Sequence, residues 1–297
     1  MGAKERCLLP ASAFPAYRDQ AVETPWWRHG DRLERLPAGV VEAVLAELAA
    51  LGRAATPEEL TDHGAVAAID WSGWKGTGRA TVMALEVLWT RCEVVVAGRT
   101  GRGKRYDLPT RALPTAAAAG PPDFARWALL ERVAAAGLLT RAGGPLWSML
   151  RDARTGPLPD ALVREGALRE VAVAGSRRRY LAAPELLART FPDDDGRMRI
   201  LGPLDPLLWD RDLVRHAFGF DYVWEVYKPA PTRRWGWYVC PLLHEGRLVG
   251  RFEPAVRAGE LVAERLWIED GAPFDHAAFR AALDRQQALL TPAPAQP

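Results

Sequence analysis

Cysteine is scarce. The 297 residues hold three, Cys7, Cys92 and Cys240. They are odd in number and far apart, which argues against a disulfide framework and fits a reducing compartment. Net charge is nearly absent: 39 Lys and Arg against 37 Asp and Glu leave +2. Any electrostatic footprint must therefore be local. No uncharged apolar run reaches membrane-spanning length. The opening Met-Gly-Ala-Lys-Glu-Arg has no apolar signal core, and Arg6 stands where a myristoylation motif wants Ser or Thr. These absences argue against a disulfide scaffold, and the expectation is a cytoplasmic protein without a membrane partner.

Metal and nucleophile signals are equally thin. His29, His63, His216, His244 and His276 show neither ligand spacing nor a His-Glu-x-x-His pattern, and no cysteine pair accompanies them. There is no Gly-x-Ser-x-Gly. Asp193-Asp194-Asp195-Gly196 lacks the alternating ligands and closing Glu of a calcium loop and reads as a solvated turn. Asp205, Asp210, Asp212 and Asp221 cluster in sequence, which helix capping and salt bridges explain better than acid–base work. No metal or cofactor is expected. Tryptophan, by contrast, is abundant, with 12 residues. Such rings serve core packing and also stack on bases, so their number alone identifies neither.

The most informative feature occurs twice. Val94-Val95-Val96-Ala97-Gly98-Arg99 leads through a basic turn into Arg105-Tyr106-Asp107-Leu108. Later, Val171-Ala172-Val173-Ala174-Gly175 leads through Arg177-Arg178-Arg179 into Tyr180-Leu181. Each is an apolar strand, a glycine turn crowded with arginine, and a strand opening near tyrosine, with helical sequence before it. Helices followed by a basic hairpin describe a winged helix, a DNA-reading module. The run Gly98–Lys104 also resembles a phosphate-binding loop, but Arg105 stands where Ser or Thr is needed and a strand follows instead of a helix. A DNA wing explains it better, with Arg99, Arg102, Lys104 and Arg105 reaching phosphates or a groove. A plain solvated basic hairpin is the bland alternative.

The expected class is α+β: tandem winged-helix domains followed by a mostly antiparallel, β-rich C-terminal domain. Residues 1–35 read as helical pieces broken by Pro10, Pro15 and Pro25, the end of something rather than the start of a domain. Residues 36–115 form the first winged helix. Its first helix carries Val40, Val41, Val44, Leu45, Leu48 and Leu51 and ends at Gly52. Thr56 caps a short helix at Pro57–Leu60. A third helix begins around Thr77, where Lys75 and Arg79 flank a helix start suited to a phosphate; packing of Trp71 and Trp74 in a glycine-rich loop is the alternative. Residues 116–192 repeat the plan, with helices near 122–136, around Leu146–Leu150, near 159–165 and over 184–191. Residues 193–290 form the C-terminal domain, with strands at Met198–Leu201, Tyr222–Tyr227, Trp235–Leu243, Arg247–Phe252 and Leu261–Ile268 and a helix over Ala277–Leu290. Residues 291–297, Thr-Pro-Ala-Pro-Ala-Gln-Pro, read as a disordered tail.

Three runs are distinctive: Leu201-Gly-Pro-Leu-Asp205-Pro-Leu-Leu-Trp209-Asp210-Arg211, the stretch from Phe218-Gly-Phe-Asp-Tyr222 to Arg233-Arg234-Trp-Gly-Trp-Tyr238, and Gly246-Arg-Leu-Val-Gly250-Arg251. Together with Leu8-Leu9-Pro10, Phe14-Pro15 and Trp74-Lys75, they resemble the AlkZ/YcaQ-like winged-helix DNA glycosylases that unhook interstrand crosslinks. The resemblance covers nearly the whole chain. It implies a concave channel for double-stranded, damaged DNA and hydrolysis of the N-glycosidic bond of alkylated or crosslinked bases. It also implies a Gln-x-Gln or Gln-x-Asp catalytic pair in a first winged helix. This chain has only Gln20, Gln286, Gln287 and Gln296 and no such pair. No catalytic residue is carried over, and the sequence is expected to begin after that first module. Polar groups that orient water and stabilise an oxocarbenium ion are what such hydrolysis needs, so a surface without them binds but hydrolyses poorly.

The expectation is therefore a monomeric, nucleoid-associated DNA-binding protein. Lys75, Arg79, Arg99, Arg102, Lys104, Arg105, Arg177, Arg178, Arg179, Arg233 and Arg234 are the expected DNA contacts. The rival is a winged-helix transcriptional regulator without enzymatic activity, which would dimerise on paired half-sites; no heptad dimerisation helix is visible. A relic without DNA affinity is the third option.

Overall fold

The computed structural model describes residues 9–23, 29–67, 69, 76–101, 103–114 and 116–290. Cys7, Leu8, Pro25, the Trp71–Lys75 segment including Lys75, Arg102 and the 291–297 tail lie outside the described residues. The chain divides into two compact units, Met1–Phe124 and Ala125–Pro297.

The first unit begins with α1 (Phe14–Glu23) and α2 (His29–Leu33). Pro15 does not break α1; it sits in the first turn, where a missing N–H costs nothing. Then come α3 (Val40–Leu51), the short strands β1 (Ala65–Ala67) and β2 (Thr77–Arg79), α4 (Ala80–Thr90), the hairpin β3 (Val95–Thr100) with β4 (Gly103–Asp107), and the single turn α5 (Pro109–Ala112). Val40, Val44 and Leu48 of α3 share a core with Ala84, Leu85 and Leu88 of α4 and with Tyr106 of β4. Gly52 ends α3 in the left-handed conformation (φ 66°), the C-terminal stop that glycine adopts without strain. Arg111 of α5 closes the same end, donating to Leu48 O at 2.9 Å while paired with Asp107. Thr56 and Glu59 form a reciprocal capping box on the following turn.

The helix expected at Thr77 starts three residues later. Thr77–Arg79 are instead strand β2, antiparallel to β1 with Val66 opposite Gly78. The ladder uses the backbone groups a helix would need, and Ala80 N–H closes it on Gly64 O at 2.8 Å.

The second unit opens with α6 (Phe124–Ala136), β5 (Leu138–Thr140), α7 (Arg151–Thr155), α8 (Leu158–Arg164), β6 (Arg169–Ala172), β7 (Arg179–Ala182) and α9 (Pro184–Ala188). The three strands form a sheet in the order β5-β7-β6. The helix expected around Leu146–Leu150 is a 3-10 turn, Pro145–Trp147, preceding α7. Trp147 is buried and donates its indole N–H to Thr140 O at 2.8 Å.

The remainder holds β8 (Arg199–Ile200), α10 (Arg211–Phe218), β9 (Cys240–His244), β10 (Arg247–Arg257), β11 (Glu260–Ile268) and α11 (His276–Leu290). Its antiparallel sheet runs β11-β10-β9-β8. Phe279 and Ala282 of α11 pack on Phe252, Val249 and Leu242. Gly250 is obligatory in β10, because a Cβ there would lie 2.6 Å from Trp267 O on the neighbouring strand. Strand structure expected at Tyr222–Tyr227 and from Trp235 to Val239 is not formed; residues 221–239 are irregular backbone with turns, bends and a short 3-10 segment. Helix α10 was not expected at all.

Candidate nucleic-acid interface

In the first unit, β3 and β4 pair tightly to their ends, with Arg99 opposite Lys104 and Thr100 opposite Gly103. Arg99, Lys104 and Arg105 therefore stand on the ladder and not in a long turn, because the strands extend further than the apolar residues alone suggest. A strand follows Lys104, so the phosphate-loop alternative fails. Arg99 is exposed and, among the described residues, has no acidic partner. Lys104 lies with its ammonium 4.6 Å from the Trp89 ring centroid. Arg105 is half-buried and donates to Ala54 O at 2.7 Å, which commits part of its guanidinium to the fold. Arg79 sits near Glu58 (3.8 Å) and Asp62 (3.9 Å), so its charge is already answered within the protein.

In the second unit, the turn joining β6 to β7 rests on α10. Arg178 pairs with Asp210 at 3.5 Å and with Asp212. Gly175, left-handed at φ 78°, has room for no more than ordinary contact with His216. The neighbours Arg177 and Arg179 are exposed and have no acidic partner among the described residues. The three arginines thus divide: the central one anchors the turn, and the flanking two face solvent. A cleft of about 350 Å³ lies beside this anchor, between Gly143-Gly144-Pro145 and Trp209-Asp210. Asp210 caps α10 by accepting from Leu213 N–H at 3.1 Å, while its Oδ2 is buried without a partner. Asp205 caps the preceding turn through Leu207 N–H at 2.9 Å. Both carboxylates do the structural work expected of them. Asp210→Ala is expected to cost ~0.5–2 kcal/mol in a denaturant titration. Arg178→Ala should lower stability but leave the DNA salt dependence unchanged, since the charge removed is already paired.

The C-terminal loop 222–239 displays the third basic group. Tyr222 fastens its start, donating its hydroxyl to Val239 O at 3.0 Å. Two buried carboxylates hold its body. Glu225 accepts from Trp235 N–H at 2.7 Å and from the Lys228 ammonium at 2.7 Å. Glu253 of β10 accepts from Trp237 N–H at 2.7 Å and pairs with Arg265. Burial alone would raise the Glu225 pKa; the Lys228 bond and the amides of Trp235, Arg234 and Gly236 overcome it and lower it to about 2. Glu253 is held below its ordinary value in the same way, burial being outweighed by Arg265 and the Trp237 amide. A side chain at Gly236 would collide with the Glu253 carboxylate. These side-chain bonds use the amides that a strand would have needed.

Behind the loop, Arg251 is 3% exposed. Its guanidinium lies 4.0 Å from the Phe220 ring centroid and 4.3 Å from that of Trp235. It donates to Glu269 at 2.8 Å and to Asp221 O at 2.9 Å. Arg234 also lies over Trp235, at 4.3 Å, with its residue exposed. Arg233 is half-buried and donates through Nε to Lys228 O at 2.8 Å. Outward stand Tyr227 (91% exposed), Trp237 (54%) and Tyr238 (38%). Arg233 and Arg234 were expected DNA contacts; Glu225, Arg251 and Glu253, which hold the loop and the strand behind it, were not singled out. Their only signal was acidic and basic residues in otherwise apolar runs.

The family model of AlkZ-like DNA glycosylases matches residues 1–291. The chain belongs to this family. The structure is also similar to the solved DNA glycosylase AlkZ of Streptomyces sahachiroi, with a TM-score of 0.53 and 19% identity, over 95% of this chain and 76% of that one. At that identity the likeness concerns the fold. The AlkZ-like assignment makes DNA the substrate to consider for the basic groups above. Among the described residues no group of three or more His, Cys, Asp and Glu could hold a metal ion, and no helix is long and apolar enough to cross a membrane.

Proposed function

We propose that this chain grips duplex DNA through two winged-helix modules, residues 36–115 and 116–192, with the 193–290 domain adding a third contact. The reading extends to repair of alkylated or crosslinked bases by N-glycosidic hydrolysis. Its main support is the first hairpin, where Arg99 and Lys104 stand directly opposite each other. A polyanion laid along the hairpin would meet the exposed Arg99, which has no acidic partner among the described residues. Arg177 and Arg179, on either side of the anchored Arg178, present exposed charge from the second turn, and Arg233 and Arg234 add to the C-terminal contact. Arg178, Arg79, Arg105 and Arg233 rank below the others, since their charges or donors are engaged within the fold. The missing Gln-x-Gln pair leaves no side chain here to assign to water activation, so binding is expected to exceed base release.

Fluorescence anisotropy with a labelled duplex tests the grip. Replacing Arg99, Arg177 and Arg179 by alanine should weaken binding regardless of sequence, and the slope of log affinity against log salt should shrink by about 0.9 for each phosphate no longer neutralised. An unchanged slope overturns the assignment of these hairpins. Incubation with alkylated and crosslinked duplexes tests the chemistry: slow base release is expected, and robust release would mean that residues other than a glutamine pair activate the water.

A further inference from the structure

We propose that the 222–239 loop is a platform for nucleobases that have left the duplex stack, with Tyr227, Trp237 and Tyr238 packing on base faces while Arg233 and Arg234 hold adjoining phosphates. The inference rests on the DNA-binding reading above and names what one part of that surface recognises.

Three observations lead to it. First, the rings are exposed where burial would be expected. Among the described residues Trp237 is the one exposed tryptophan; Trp89, Trp127, Trp209, Trp224, Trp235 and Trp267 are half-buried and Trp147 is buried. Trp237 and Tyr238 lie with ring centroids 6.0 Å apart and planes tilted by 39°. Tyr227 leans edge-on against Trp224, centroids 6.1 Å apart, and is otherwise open. Second, the rings are mounted rigidly. Glu225 bonds the Trp235 amide, Glu253 bonds the Trp237 amide and Tyr222 bonds Val239, so little ordering remains to oppose binding. A loop with no ladder of its own is being kept in one shape by buried charge. Third, the charge turned outward is basic. Glu225 is buried and answered by Lys228, and the half-buried Arg233 and exposed Arg234 lie on the same loop as the rings.

Aromatic faces beside guanidinium groups suit an anionic, planar ligand such as a nucleotide. Bases inside a paired duplex already have both faces covered. These rings can therefore stack only on unpaired, bulged or unstacked bases, as aromatic wedges and single-strand platforms do.

The test uses the full chain and oligonucleotides carrying 2-aminopurine, whose fluorescence reports stacking, in three forms: a single strand, a duplex with one bulged 2-aminopurine, and a matched duplex. Wild type should quench the first two. Trp237→Ala and Tyr227→Ala should each weaken binding to the first two about fivefold or more. They should leave the matched duplex and the salt slope unchanged. Both side chains are exposed, and far-ultraviolet circular dichroism checks that the variants fold. Equal losses on all three forms, or no loss on any, overturn the platform. If wild type binds none of the three, the DNA-binding reading itself fails; if duplex binding persists and the ring variants are silent, only the platform does.

Discussion

Replacing Arg251 by alanine should destabilise the second unit by about 2–5 kcal/mol, the range for truncating a long buried side chain. The guanidinium is 3% exposed and has no access to replacement water. Its loss removes two ring contacts, one with Phe220 and one with Trp235, and leaves Asp221 O without its donor. Glu269 is 32% exposed and can turn to solvent, so the cost comes mainly from the vacated space and the orphaned carbonyl. Arg251→Met should restore part of the loss, because an unbranched apolar chain fills the slot between the rings. Arg251→Lys should not, because an ammonium is neither planar nor able to bond two acceptors at fixed angles. Denaturant titration followed by tryptophan fluorescence reads these differences. Equal stability of the alanine and methionine variants would mean that packing between the rings contributes little.

Acid should loosen the 222–239 loop in a defined window. The Glu225 pKa falls from 4.5 to about 2 in the folded chain. A carboxylate depressed on folding contributes stability that is fully present above its unfolded pKa and is lost as pH falls through the folded one. The contribution should therefore drain away between roughly pH 4.5 and pH 2, with Glu253 acting in the same direction. Trp237 quenching by acrylamide should rise across that interval before the sheet signal changes. Glu225→Gln keeps an acceptor oxygen but has no proton to take up, so the pH dependence should flatten. Glu225→Ala should be worse at every pH, since amides left without partners cost ~1–3 kcal/mol each. A quenching profile identical in wild type and Glu225→Gln would remove Glu225 from this role.

Much of this architecture could be read from residues near in sequence. The apolar spacing from Val40 to Leu51 with Gly52 behind it marks α3, and Thr56 marks the turn that follows. Both hairpins followed from glycine and arginine between apolar strands. What could not be read depends on distant partners. Thr77–Arg79 become a strand only because Ala65–Ala67 pair with them. Tyr222–Tyr227 and Trp235–Tyr238 are apolar and aromatic as strands are, yet carboxylates ten and 16 residues away from Trp235 and Trp237 capture their amides. Helix α10 is eight residues long, too short for periodicity to stand out, and its Asp210 cap was the one available sign. The basic clusters were legible in sequence, but not how each arginine is used in the fold. Nothing adjacent to Arg178 reveals that Asp210 and Asp212 will claim it while Arg177 and Arg179 stay exposed.

The carboxylate mounting of the loop bears on how its backbone trades protons with solvent. In a stretch without helix or strand, amides ordinarily exchange within moments. Those of Trp235 and Trp237 are locked to Glu225 and Glu253, and so should exchange slowly, the first losing its protection once Glu225 is neutralised and the second once Glu253 is.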